Sequence, residues 1–142
     1  MSFIPKTAAS NHFALRFFKK TASQVYANLS LVAWPASQTG FMIPATSTTT
    51  KHIGAIQKAI AATDSDYASN TLVPVLVPTA GTNSIWIATT ASLVATDIGG
   101  TFDLTDASTV NRGAESVGAF QSTDYISATQ IAGYLVIPTS TT

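Results

Sequence analysis

Apolar and polar residues alternate with a period of two in several short runs along this chain, the pattern of half-buried β-strands. From His12 to Phe18 the alternation puts Phe13, Leu15 and Phe17 on one face. From Gln24 to Trp34 it sets Val25, Ala27, Leu29 and Leu31 against Tyr26, Asn28, Ser30 and Val32, and Pro35 ends the run. The connection Lys19–Ser23 predicts that these two runs form a hairpin spanning residues 12–34. Gly40–Pro44 reads as a short strand and Thr46–Thr50 as an exposed turn. Further on, Ser84–Thr89 reads as a strand with Ile85 and Ile87 inward and Trp86 on the opposite face. Thr101–Leu104 alternates again, and Ser116–Tyr125 carries Val117 and Phe120. Residues 107–113 read as a loop, and Ile131–Ile137 closes the series. Turns are marked by Ala80-Gly81-Thr82-Asn83, where Gly81 and Asn83 tolerate positive φ, and by Asp97-Ile98-Gly99-Gly100.

The block Lys51–Thr79 is the most informative. Ile53, Ile56 and Ile60 fit a helical spacing, but Gly54, the brevity of the run and its β-rich surroundings favour a strand over residues 51–62. After the acidic turn Thr63–Tyr67 comes Leu72-Val73-Pro74-Val75-Leu76-Val77, short and branched as a buried strand is. Proline cannot donate to a ladder, so this strand is expected at a sheet edge, or to begin pairing only after Pro74. Short strands at roughly ten-residue spacing, punctuated by Gly, Asn and Asp, predict an all-β fold: a small antiparallel β-barrel, SH3-like or tulip-type, with an N-terminal arm and hairpin. We read residues 1–11 as the arm, 12–138 as one domain and 139–142 as a flexible tail.

Composition narrows the classes. The chain has 142 residues, of which 10% are charged, and no cysteine. Disulfide frames and thiolate metal sites are thereby excluded, and the abundance of β-branched and hydroxyl residues does not suit a disordered chain. No apolar run approaches a membrane span and no signal peptide is apparent, so a soluble, cytosolically made protein is expected. The net charge is zero but segregated. Residues 1–58 carry +6 and residues 59–142 carry −6. Folding either interleaves these charges or leaves a basic arm that seeks an acidic neighbour.

Catalytic and metal motifs are incomplete. An EF-hand loop starting at Asp64 would need an oxygen ligand, Gly and Glu where Ala68, Ser69 and Val75 stand, so the turn reads as carboxylates bonding nearby amides. Ser116 in Gly-Ala-Glu-Ser-Val-Gly misses the nucleophile elbow by Ala114, and His12 and His52 lack metal-spaced partners. No enzyme, cofactor or metal is expected. The cluster Phe13, Arg16, Phe17, Phe18, Lys19 and Lys20 admits three readings: a hairpin core with lysines at its turn, a capsid-docking patch, or a single-stranded nucleic-acid platform.

Several features in order resemble one family. These are the early Ile53-Gly54, the turn Thr63-Asp64-Ser65-Asp66-Tyr67-Ala68, the Val73-Pro74-Val75 strand, the run Asp97-Ile98-Gly99-Gly100-Thr101-Phe102-Asp103-Leu104-Thr105-Asp106, and the closing Tyr134-Leu135-Val136-Ile137. Over roughly residues 40–138 this resembles the small β-barrel auxiliary proteins that decorate the heads of tailed bacteriophages. The resemblance implies a non-catalytic virion protein, assembled in the host cytoplasm, that binds the major capsid protein and forms homotrimers, without membrane or nucleic-acid partners. Phe3 and Ile4, with the cluster from Phe13 to Lys20, are then the expected capsid or subunit contacts. The alternative is a β-barrel binding module for single-stranded nucleic acid or saccharide.

Overall fold

The computed structural model describes residues 3–6 and 12–136. Among them the regular structure is β, with short 3-10 turns at Gly81–Asn83 and Ala95–Asp97. The strands are β1 (Ile4–Pro5), β2 (Phe13–Lys19), β3 (Leu31–Trp34), β4 (Ile43–Pro44), β5 (Lys51–Ile56), β6 (Leu72–Pro78), β7 (Trp86–Thr89), β8 (Thr101–Asp106), β9 (Thr109–Asn111), β10 (Phe120–Ser127) and β11 (Gln130–Leu135). The strand expected over residues 51–62 is observed for Lys51–Ile56, with Ile60 beyond it making only an isolated bridge to Tyr26, and the expected all-β barrel class is observed. Part of the expected loop at residues 107–113 is instead strand β9. Residues 139–142, read as a tail, lie outside the described residues, as do Ile137 and Pro138.

Two sheets make up the molecule. The first runs β1-β7-β11-β10-β8-β9 and closes on itself, because Thr89 of β7 also pairs with Thr109 of β9. One edge of β7 is thus shared: β1 takes its start at Trp86 and Ile87, and β9 takes its end. Closure removes open edges, which would otherwise present unpaired amides. The second sheet runs β2-β6-β5-β3-β4, and a bridge from Lys20 to Met42 joins its two outer strands.

Strand β2 pairs with β6 along its whole length, from Phe13 opposite Pro78 to Lys19 opposite Leu72. This corrects the expected hairpin with residues 24–34. The chain after Lys20 turns instead of extending, with positive φ at Ser23 (61°) and Leu29 (68°), and Tyr26 bridges to Ile60. Alternation had marked the faces of the run without specifying its neighbour.

Of the two expectations for Pro74, the edge position fails, because β6 lies inside the sheet between β2 and β5, while the later start of pairing holds on the β5 side. The Pro74 carbonyl accepts from the Gln57 N–H on the β5 side, one residue beyond the end of β5. In a strand the N–H and C=O of one residue point to the same neighbour. The missing proline N–H therefore faces a place where the β5 ladder has already stopped. Pairing with β5 starts at Val75, whereas pairing with β2 runs through Pro74.

The core has two parts, one on each face of the second sheet. Val32, Ile53, Ile56, Val73 and Val75, with Tyr26, Met42 and Ile60 from the connections, fill its interior. The opposite face presents Leu31, Ala33, Ala55 and Phe13 to Trp86, Phe102, Leu104, Phe120 and Ile131 of the first sheet. Trp86 is fully buried and packs edge-on against Phe13, with ring centroids 4.7 Å apart. The expected facing of β7 is therefore reversed: Trp86 and Ala88 point into the core, while Ile85 and Ile87 are half-buried. The indole buries far more apolar area than either isoleucine, and that decides the face.

Gly54 is required by close approach. A Cβ there would collide with the main-chain carbonyl of Leu76 on β6, which is backbone and cannot rotate away. Gly54→Ala is expected to cost about 1–3 kcal/mol, as overpacking does. Urea denaturation would read it, and a cost under about 0.5 kcal/mol, the range of neutral surface changes, would show that β5 and β6 can separate freely.

Candidate functional site

The residues singled out from sequence are separated by the fold. Phe3 is fully buried, edge-on to Trp86 at 6.2 Å and to Phe120 at 6.0 Å. Ile4 is half-buried and pairs with Ile87. Neither is free to lie across a neighbouring copy, so the arm of residues 1–11 is corrected for its described part: residues 3–6 belong to the core and to the first sheet. Phe13 is core, and Phe18 stacks edge-on against Trp34 at 5.6 Å. Lys20 is fully buried. Its Nζ donates to the carbonyls of Ser69 (2.6 Å) and Tyr67 (3.1 Å), fastening the 61–71 connection to the sheet. Burying an ammonium is tolerated only with such partners.

What remains outside is a strip. Leu15 and Phe17 of β2 are 55% and 58% exposed, and Leu72 of β6, opposite Lys19, is 59% exposed. These values matter because large apolar side chains gathered at one place mark interaction surfaces. The cause is geometric. Leu31, Ala55, Leu76 and Leu15 are successive partners on one face across β3, β5, β6 and β2. Leu31 and Ala55 are covered by the first sheet, Leu76 only partly, and Leu15 lies beyond its cover. Phe17 opposite Pro74 and Lys19 opposite Leu72 extend that uncovered face. Arg16, on the other face, stands over the Phe18 ring at 5.8 Å and is exposed. Sequence reading found Arg16, Phe17 and Lys19 but missed Leu15 and Leu72 as surface, because nothing in an apolar alternation tells which rows a second sheet will cover.

The charges partly interleave. Lys6 pairs with Asp124 at 3.1 Å and Lys58 with Asp66 at 3.3 Å, joining the basic and acidic parts of the chain, while Arg112 clasps Asp97 with two nitrogens. A hydrogen bond from the Val94 N–H, and Arg112 with it, holds the Asp97 carboxyl below its usual value. Among the described residues, Arg16, Lys19, Lys20 and Lys51 have no ion pair, Lys20 being buried on carbonyls. Of the exposed three, Arg16 and Lys19 lie on β2.

Elsewhere the polar groups do local work. Asp64 accepts from the Ala61 N–H at 2.8 Å, as an acidic turn does. Ser116 donates to the buried Asp103 at 2.9 Å, and the N–H groups of Val117 and Gly118 donate to the same carboxylate at 2.7 Å. Burial alone would raise the Asp103 pKa, but these donors outweigh it and lower it. The Ser116 proton is thus directed to a carboxylate that itself pins the 113–119 connection, which is not the arrangement of an activated nucleophile. A cleft of about 260 Å³ between the sheets is lined by Thr50, His52, Val117, Gly118, Ala119 and Val136. Among the described residues no group of three or more His, Asp or Glu is placed to hold a metal.

No family model matches the chain, and no curated protein matches it.

Proposed function

We propose that the chain is a non-catalytic virion structural protein, an auxiliary decoration or cement protein that binds the major capsid protein of a phage head as a homotrimer. The observation that supports a docking role is the uncovered strip of Leu15, Phe17 and Leu72 with Arg16 and Lys19 beside it. The polar clusters elsewhere have local structural partners, and the motif order resembles that of phage head auxiliary proteins. A weak strip gains from repetition, since copies joined in a ring multiply effective affinity without a new kind of contact.

The test is saturation binding of the intact protein to emptied heads of the phage that encodes it, imaged by negative stain, with single-stranded DNA as comparison. Binding that saturates on heads, with no DNA retardation at physiological salt, supports decoration. Absence from heads combined with DNA retardation that fades steeply with salt overturns it in favour of a nucleic-acid module.

A further inference from the structure

The backbone of β2 has one edge taken and one open. Lys20 N–H donates to the Thr71 carbonyl and the His12 carbonyl accepts from Thr79 N–H, so the even-numbered residues of this run face β6. The Lys19 carbonyl accepts from Met42 N–H on the other side, so the odd-numbered residues face away from β6. The main-chain groups of Leu15 and Phe17 therefore point to the outer edge of the sheet, which Met42 closes at Lys19 and Lys20 and with which no named strand pairs ahead of them. These are the same residues whose side chains are exposed.

We propose that this edge accepts one further strand from a partner protein: an extended segment with apolar side chains beside Leu15 and Phe17 and carboxylates beside Arg16 and Lys19. The inference rests on the docking reading above and adds the chemistry of the partner. Main-chain hydrogen bonds supply affinity in such strand addition, and alternate side chains supply specificity. Charge decides the occupant. A second copy adding through its own β2 would bring two cations and no carboxylate, whereas a carboxylate-bearing strand offsets two charges that have no ion pair among the described residues. Antiparallel addition, the sense of the named strand pairs in this sheet, fixes the order. Read from its N-terminus, the segment starts with an acid that reaches the Lys19 ammonium from outside the ladder, because Met42 holds the Lys19 main chain, and is then free opposite Phe18, apolar opposite Phe17, acidic opposite Arg16 and apolar opposite Leu15.

The probe is a labelled peptide Thr-Glu-Thr-Val-Asp-Val-Thr, titrated into the full chain by fluorescence anisotropy, with amide exchange followed by NMR. Saturable binding is expected, with the Leu15 and Phe17 amides protected. A peptide with lysine for both acids, and one N-methylated at both valines, should each bind at least tenfold more weakly. The double variant Arg16→Glu/Lys19→Glu, altered only at exposed positions, should prefer the lysine peptide. No saturable binding up to millimolar concentration, equal binding of acidic and lysine peptides, or protection elsewhere than β2 overturns the proposal. If the wild type and the double variant occupy heads equally while the peptide fails, strand addition is wrong and decoration stands. If neither occupies heads, the decoration reading itself falls, whatever the peptide does.

Discussion

Replacing Phe3 with alanine is expected to lower the unfolding free energy by about 3–5 kcal/mol, the cost of truncating a fully buried phenylalanine. Phe3 has no exposed surface, its ring meets both Trp86 and Phe120, and its N–H donates to the Leu29 carbonyl at 3.0 Å. These contacts join three parts of the molecule: the N-terminal segment, the first sheet and the connection ahead of β3. Domains are stable by only about 5–15 kcal/mol, so such a loss is a large share of the total. Deleting Met1 to Asn11 should do at least as much harm, because it also removes β1 from the edge of β7 and the Lys6 N–H bond to the Ile85 carbonyl. A mobile arm, as the sequence suggested, would instead leave the β spectrum and the urea midpoint unchanged on deletion. Urea denaturation of Phe3→Ala decides between them, and a loss under about 1 kcal/mol would return residues 3–6 to the status of a loose end.

That difference shows which information a single sequence carries. Period-two alternation located β2 and β8, because a side chain's face follows directly from strand geometry, whereas Lys51–Ile56 was legible as a strand only from Gly54, its brevity and its β-rich surroundings, against a helical spacing of its isoleucines. Pairing does not follow from it. Residues 13–19 could satisfy their apolar face against any exposed strand, and the distant β6 was chosen over the adjacent 24–34 run. Burial of individual residues was harder still. Phe3 precedes a proline in a polar segment and carries no periodicity, yet it fills a gap between Trp86 and Phe120. Lys20 read as the last member of a basic surface cluster, and two backbone carbonyls 47 and 49 residues further along make it an interior residue. The docking strip was half visible for the same reason. Its cations were legible as residue types, whereas its exposed leucines depend on where the first sheet stops covering the second.

Stability should also fall with acid over a window set by one histidine. The Nε2 of His52 lies 3.0 Å from Thr49 Oγ1, and that hydroxyl's single proton goes to the Thr46 carbonyl. The ring must therefore be the donor at Nε2, which leaves Nδ1 as a bare lone pair, buried and without a partner. Protonation would place a charged N–H there with nothing to receive it, and burial accordingly pushes the His52 pKa down from 6.5 to about 4. The unfolded chain thus binds a proton more readily than the folded one between these values, and stability rises with pH across that interval. It is complete above 6.5 and diminishes as pH falls, by about 3 kcal/mol at pH 4. The lowered aspartates, Asp66, Asp97, Asp103 and Asp124, act in a different window: their contribution is present above 3.8 and is lost as pH drops through their folded values. The aspartates begin to lose their contribution below about pH 5, so the slope between about pH 5 and 6.5 is assigned to His52. Urea denaturation at half-unit steps should show it in the wild type and not in His52→Gln, which carries no titrating group. If the variant keeps the slope, the orphaned Nδ1 is not its origin and some other proton is being taken up on unfolding.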